Sequence, residues 1–581
     1  MSNENENLIT ARIENAEQVC DSGMSEAGSG MPRKPSQADS LIGLAADAEL
    51  FHSPDGRGFA DVEINGHRET WPIGSQGFRH WIARRFFEAS GGAPSSEALR
   101  SALNVIEARA HFDAPERKVH VRVGGLDSRL YLDLGDKSWR VVEIDTNGWR
   151  VIENPPIRFR RAAGMHALPI PERGGSIQML RQFVNVETDA DFVLMVAWVL
   201  AALRGDGPYP PLVVSGEQGS AKSTFCAIAR ALLDPNTAPL RAMPRNEHEL
   251  FVAASNGHVL AFDNVSGLPA WLSDALCRLS TGGGFAVRQL FRDQDEVLFD
   301  ATRPVILNGI EDMVTRPDLA DRCVFLTLRE IPEERRRSEQ ELKAQFEEVI
   351  PQILGALLDA VVHGLRMLPH TRLDKLPRMA DFALWATACE PALWPAGTFW
   401  GAYSGNRDHA VEDVIEADPI AAAVHTMMAT RTEWRGTATD LLDALGAAAG
   451  EMQCRAKTWP NSPRALAGRL RRAAAFLRKV GIEIVFAREG RARTRAICIT
   501  LAPEKCRAES STPSASSVPA TETRDLHADS ERTVADGADG QFADATATVR
   551  TNALESTMRA DADGADAKIS DPTAEYEVLD I

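Results

Sequence analysis

Gly216-Glu217-Gln218-Gly219-Ser220-Ala221-Lys222-Ser223-Thr224 follows the apolar run PLVVS at residues 211–215 and opens the stretch FCAIARALL at 225–233. The order is strand, turn of small residues, helix. Small residues let the backbone wrap an anion, the amides at the helix N-terminus donate to its oxygens, and Lys222 with the Ser223 hydroxyl then faces terminal phosphates and a magnesium ion. Gly216, Gln218, Gly219, Ser220, Ala221, Lys222, Ser223 and Thr224 are therefore the expected phosphate cradle. Ala221 stands where glycine is usual, and its small side chain is expected to permit helical geometry there. A glycine-rich turn before an ordinary helix is the plain alternative, disfavoured because both flanking contexts are met.

A phosphate loop needs a carboxylate for the metal, and GHVLAFDN at residues 257–264 supplies an apolar strand ending in Asp263. Asn264 follows. An amide can orient water but cannot take its proton, so the general base stays open between Asp263, Glu217 and other groups. A third apolar strand, RPVILNG at 303–309, ends in Asn308, placed to sense a terminal phosphate or an attacking water. Beyond it, RPDLADRCVFLTL at 316–328 carries Arg316 and Arg322 in a loop before a strand. Such an arginine can reach a neighbouring subunit's nucleotide. It can equally pair with Asp318 or Asp321.

Four stretches together, GEQGSAKST, VLAFDN, LCRLSTGGGFAVRQLFRDQDEVLF and RPVILNGIED with DLADR, resemble the superfamily 3 helicase core of phage, plasmid and viral primase-helicases, a branch of the AAA+ ATPases. The likeness covers residues 190–335. It implies ATP and Mg2+ as cofactors, a homo-oligomer that in the family is a hexamer, Lys222, Asp263, Asn264, Asn308 and Arg322 at the catalytic centre, and Ser223 and Asp263 at the metal. It also implies a pore hairpin whose Arg288 and Arg292 contact DNA; a surface hairpin with those arginines paired to Asp293, Asp295 or Glu296 is the plain alternative. Ala221 and Asn264 depart from the family pattern. Residues 45–170 hold no acidic cluster that would serve a fused primase.

The net charge of −18 argues against a nucleic-acid partner only until its distribution is seen. Residues 1–40 hold seven acidic and three basic residues and residues 504–581 seventeen acidic and seven basic, which leaves the body near neutrality. Within it, residues 455–495 hold twelve basic residues against two acidic ones. Arg464, Arg469, Arg471 and Arg472 sit on one amphipathic helical pattern, followed by two strands around Glu489-Gly490-Arg491, with Arg493 beyond. Helices ending in a basic one and then a two-stranded wing predict a winged-helix-like DNA-binding unit. A solvated basic face, or one docked on the acidic tail, is the alternative.

Eight scattered cysteines without a CxxC pair fit a reducing compartment. The N-terminus lacks a secretory pattern and no uninterrupted apolar run reaches 18 residues, so a cytoplasmic protein without a membrane span is expected. The sequence thus predicts an α/β P-loop NTPase with an AAA+-like parallel sheet at 185–335. Around it are expected a disordered tail at 1–44, an α+β module at 45–170, a helical region at 336–414, a winged-helix-like domain at 415–502 and a disordered acidic tail at 503–581. An ATP-dependent DNA helicase or translocase of phage or mobile-element type is the expected function, and a nucleotide-gated DNA-binding or regulatory module the alternative.

Overall fold

The computed structural model describes residues 35–283, 285–288, 296–299, 302–310, 313–456, 458–489 and 494–502. The expected disorder of residues 1–34 and 503–581 falls outside them, as do Arg292, Arg491 and Arg493.

All four strands expected around the loop form one parallel sheet: β1 (Leu212–Gly216), β2 (Leu260–Val265), β3 (Val305–Gly309) and β4 (Val324–Leu328). Their spatial order is β2-β3-β1-β4. The sheet is a buried layer, and its near-continuous Val, Leu and Ile runs are what a parallel sheet covered on both faces requires. Leu212 and Val214 share a core with Phe225, Cys226 and Ala229 of the loop helix Lys222–Ala231 and with the helix Asp189–Ala202. That second helix is buried without a break from Phe192 to Ala202, so it lacks a polar face altogether. Val213, Leu260, Phe262 and Leu307 meet a second core with the helices Glu247–Asn256 and Ala270–Thr281.

The N-terminal region has two parts. Helices Gln37–Leu44, Gln76–Ser90 and Ser96–Phe112 and the antiparallel meander Glu49–His52, Gly58–Ile64 and His67–Pro72 enclose their own core around Leu41, Val62, Phe78 and Ile106. The first of these helices corrects the expectation of a disordered segment as far as residue 44. Ser36 and Asp39 form a reciprocal capping box, and Leu41 is fully buried, which anchors the short helix. The strands Val123–Leu126, Arg129–Asp133, Val141–Asp145 and Gly148–Ile152 form a separate antiparallel sheet. Leu132, Val142 and Ile144 of that sheet belong to the same core as β1 and the loop helix.

Arg122 ties the two together. Its backbone is left-handed at φ 62°, which separates the strand Val119–His120 from the strand Val123–Leu126, and its side chain is fully buried. The guanidinium donates from Nε to Asp234 Oδ1 at 3.2 Å, from Nη1 to the Asp133 carbonyl at 3.0 Å and from Nη2 to the His166 carbonyl at 2.7 Å. Asp234, just past the loop helix, also accepts the His258 amide at 3.0 Å. Burial works to raise the Asp234 pKa, but Arg122, His258 and Arg230 outweigh it and hold it below the usual carboxylate range. Burial pushes the His258 imidazole down, and its Nε2 lies 2.6 Å from the Ala202 carbonyl.

The helix Glu339–Met367 is long and apolar enough to cross a membrane by length and composition, a feature an uninterrupted-run criterion passes over. Here Ile353, Leu354, Leu357, Leu358 and Val361 pack it into the main core. Helices Ala380–Cys389, Thr398–Ala417 and Pro419–Met428 follow. The C-terminal region then gives a strand Glu433–Gly436, helices Ala438–Ala449 and Pro463–Lys479, and strands Ile482–Glu489 and Thr494–Leu501. The expected helix and hairpin order is present, with the strand Glu433–Gly436 added at one edge: Thr494–Leu501 is the middle strand of three.

A half-buried and a buried imidazole set a pH dependence. His120 is pushed down to about 4, chiefly by burial and then by Lys118, and His258 shifts the same way. Between that folded value and the ordinary one near 6.5, the unfolded chain takes up protons that the folded chain refuses. Stability is therefore full above about pH 6.5 and falls as pH drops toward 4. Urea midpoints measured from pH 8 to pH 4 should show that fall, with a shallower slope in His258→Gln. An unchanged slope in that variant would contradict the assignment.

Candidate nucleotide site

The loop conformation follows from its glycines. Gly216 has φ 146°, and a Cβ there would lie 2.2 Å from the Leu328 carbonyl oxygen, so a side chain would collide with the end of β4. Gly219 has φ 87°. Directly after Gly219, Ser220 is fully buried and its hydroxyl donates to the Glu217 carbonyl at 2.8 Å, which closes the turn. Ala221 corrects the expectation of helical geometry: it is left-handed at φ 60°, ψ 33° and caps the loop helix. That conformation costs an L-residue other than glycine about 1–2 kcal/mol, which explains why glycine is usual there.

Lys222 Nζ donates to the carbonyls of Gly216 at 2.8 Å and Glu217 at 2.7 Å, with Ser220 Oγ at 3.4 Å. The ammonium is thus folded over the loop and satisfied by its backbone. One residue on, the Ser223 hydroxyl donates to Asp263 Oδ1 at 3.1 Å. Asn308 Nδ2 donates to the same Asp263 oxygen at 2.5 Å and to Ser223 Oγ at 3.1 Å. Three residues picked from separate stretches of the sequence, Ser223 in the first turn of the loop helix and Asp263 and Asn308 toward the ends of β2 and β3, therefore form one closed triangle. Asn308 is buried while Ser223 is exposed, so the triangle has a protein side and an open side.

Asn264 sits outside that triangle. The pairing of β2 with β3 slips between Phe262 and Val265, and Asn264 takes φ 53° within the slip. Asparagine is among the few residues that adopt this conformation readily. Its exposed side chain and its backbone geometry give Asn264 a conformational role that the sequence alone did not reveal.

Arg322 lies against its own chain. Its Nη1 donates to the Asp318 carbonyl at 2.6 Å and to Cys277 Sγ at 3.5 Å, and the side chain is only 15% exposed. The intrachain partner is thus Asp318. Arg316 pairs with Asp274 at 2.7 Å. The strands Phe285–Arg288 and Glu296–Phe299 pair antiparallel, with Arg288 opposite Glu296, as the hairpin expectation required; Arg292 lies outside the described residues.

Sequence reasoning missed Asn185. Its amide donates to the Ser220 carbonyl at 3.0 Å and to the Arg329 carbonyl at 2.6 Å, clamping the loop to the end of β4 from a segment far upstream. It also missed Arg336, whose Nη2 would lie 3.4 Å from a Cβ on Gly219 and which donates to Glu330 Oε1 at 3.1 Å. The arginine run at 335–337 was the available signal.

No group of three or more His, Cys, Asp and Glu side chains suited to a metal occurs among the described residues. The donors at the triangle are a hydroxyl and a carboxylate. Such hard oxygens suit magnesium, which commonly takes one or two protein ligands and completes its shell with phosphate oxygens and water. The residues fit a metal that arrives with a nucleotide.

The basic helix Pro463–Lys479 buries Leu466, Leu470, Ala473, Phe476 and Leu477 and leaves Arg464, Arg471, Arg472 and Arg478 exposed. Arg471 stacks over Phe486 of the next strand, with its guanidinium carbon 4.7 Å from the ring centroid. Arg469 donates to the Thr458 carbonyl.

Residues 177–402 match the family model of the actinomycete integrative conjugative element replication protein, and residues 420–517 match that of the AICE RepA C-terminal domain. The chain thus carries two adjoining stretches similar to replication proteins of integrative conjugative elements. No curated protein sequence matches it. Among solved structures, an apo form of the NrS-1 C-terminal region is similar at 11% identity, with 81% of this chain and 100% of that chain covered and a TM-score of 0.36. The SCCmec type IV Cch active helicase is similar at 11% identity, with 78% and 92% covered and a TM-score of 0.40.

The strain at Ala221 is testable. Ala221→Gly should raise the unfolding free energy by about 1 kcal/mol, the left-handed penalty less glycine's extra unfolded-state entropy. Urea unfolding measures it, and a loss of stability would show that the loop does not hold this conformation.

Proposed function

We propose that the chain is an ATP-driven DNA helicase or translocase of mobile-element replication, of superfamily 3 type. The observation that carries this is the Ser223, Asp263 and Asn308 triangle at the mouth of adjacent parallel strands, one residue from Lys222. In an α/β sheet, ligands bind beyond the carboxyl ends of the strands, and the polar groups of this sheet gather there. The matches to replication-protein families support the same reading.

In this account Lys222 exchanges its loop carbonyls for phosphate oxygens, and the loop amides held by Gly216, Gly219 and Ala221 donate to the remaining ones. Ser223 and Asp263 hold magnesium, which when bound offsets the phosphate charge. Asn308 orients the water or the terminal phosphate from the buried side. Arg322 acts across a subunit interface of a homo-oligomer, which requires it to leave Asp318. DNA is held by a winged-helix-like C-terminal unit through Arg464, Arg469, Arg471 and Arg472, with Arg491 and Arg493 on the wing, and by the hairpin through Arg288 and Arg292.

A second reading is favoured by one observation. Asn264 occupies the left-handed slip of β2, where a carboxylate that accepts the water's proton would otherwise be sought. With turnover weak, nucleotide binding would gate DNA binding rather than drive movement.

The purified chain should hydrolyse ATP, faster with DNA, and Lys222→Ala should lower turnover on the order of 100-fold, as loss of a charge aimed at the transferring phosphoryl group does. Nucleotide binding without turnover would favour the second reading, and absence of both would exclude the first. DNA affinity should fall steeply with salt, and Arg472→Ala should reduce the salt slope by about one.

A further inference from the structure

We propose that Asp321 is a positioning residue that couples the DNA-facing helix to the arginine loop, so that DNA held on the helix Pro463–Lys479 sets the placement of Arg322. The proposal rests on the ATP-driven reading above and deepens it, because it names the route by which DNA reaches the catalytic machinery.

Asp321 immediately precedes Arg322 and ends the short helix Pro317–Ala320. Three cations converge on its carboxylate. Arg407 Nη2, from the helix Thr398–Ala417, lies at 3.4 Å and Arg378 Nη1, just before the helix Ala380–Cys389, at 3.8 Å. Lys479 Nζ, at the last residue of the basic helix, donates to Asp321 Oδ1. None of the three comes from the parallel sheet or its connections. With its side chain only 16% exposed, Asp321 depends on these partners, since a carboxylate withdrawn from water and left unpaired is costly.

The same loop is fixed on its other side to the nucleotide-binding core. Arg316 pairs with Asp274 at 2.7 Å and donates to the Ala270 carbonyl at 3.2 Å, both on the helix Ala270–Thr281. The loop therefore spans two bodies of structure, and Arg322 sits at the crossing. Apolar contact strengthens the outer link: Ala320, Val411 and Phe476 wall a small hollow beside Asp321 and Arg407. A shift of the basic helix therefore carries Asp321 with it.

Arg322 itself has unspent bonding capacity. Its Nε is buried without a hydrogen-bond partner. Buried donors are nearly always paired, so this nitrogen is available to a further acceptor without loss of a bond already made to protein. DNA phosphates drawn to the basic helix compete with Asp321 for Lys479. Loosening that pair frees the loop to swing between Asp318 and an outward position.

The test uses the full chain and titrates ATP turnover with a duplex and with a single-stranded oligonucleotide, reading maximal stimulation apart from half-saturating DNA. In Asp321→Asn, which severs the same pair that DNA loosens, basal turnover should rise toward the DNA-stimulated level of the wild type, and the further stimulation by DNA should fall about fivefold or more, the usual scale of a coupling between sites. Fluorescence anisotropy should show DNA bound as tightly as in the wild type or more tightly, because a negative charge beside the basic helix is gone. Asp321→Glu should restore much of the stimulation. Arg407→Gln removes one of three anchors and should lower stimulation by a smaller factor, which carries the test if Asp321→Asn does not fold. Undiminished stimulation in these variants overturns the proposal. So does a parallel loss of basal turnover and thermal midpoint, which would make Asp321 a staple of the fold. Turnover that Lys222→Ala abolishes but DNA does not stimulate in the wild type overturns the coupling and leaves the ATPase standing.

Discussion

The register of three parallel strands is the constraint on which the site depends. Val214 of β1 lies beside Asn308 of β3, and Leu307 beside Phe262 of β2. Because β3 is the middle strand, its last polar side chain falls between the loop that follows β1 and the carboxylate that ends β2. A slip of one residue in either pairing would turn Asn308 to the other face of the sheet and separate it from Ser223 and Asp263. The apolar runs on both faces prevent the slip. Leu212 and Val214 are committed to the core beneath the loop helix, and Val213 and Leu307 to the opposite one.

Much of this was legible before the fold was known, and for a physical reason. The loop, its strand and its helix are contiguous in sequence, and the four apolar runs that become β1 to β4 are long and cleanly bounded. Asp263 and Asn308 could be picked because each closes such a run with a polar residue. The helix Gln37–Leu44 was equally legible through Ser36 and Asp39, a capping pair at the proper spacing, but the polar composition around it masked that local signal. The conformations of Ala221 and Asn264 were not legible. Both are left-handed, and a backbone dihedral imposed by tertiary closure leaves no periodic trace in the residues around it.

Other features were hidden by distance along the chain. Asn185 reaches Ser220 and Arg329, and Arg122 reaches Asp234, from segments whose local pattern says only loop or strand. Arg122 would read as one more surface cation in an alternating strand. Its complete burial follows from a single left-handed residue that turns the side chain into the interior, where two carbonyls and a carboxylate were waiting. The strand Glu433–Gly436 was likewise too short to stand out. It is specified by its partner, Trp434 pairing with Ile499, rather than by itself.

Charge in this chain is best understood by what each basic group already holds. Within the basic helix, Lys479 is bound to Asp321 and Arg469 to a backbone carbonyl, while Arg471 is laid over Phe486. Arg464 and Arg472 remain exposed on the same helix. A uniform cationic face would attract any polyanion equally along its length. This face is uneven instead: Arg464, Arg472 and Arg478 are exposed, while Lys479 at the last residue is tied to the arginine loop. On the proposed reading, contacts at the exposed residues hold a phosphate backbone, and contacts at Lys479 exact a rearrangement in exchange. In the proposed coupling, that asymmetry gives a surface electrostatic event a route to the loop that carries Arg322.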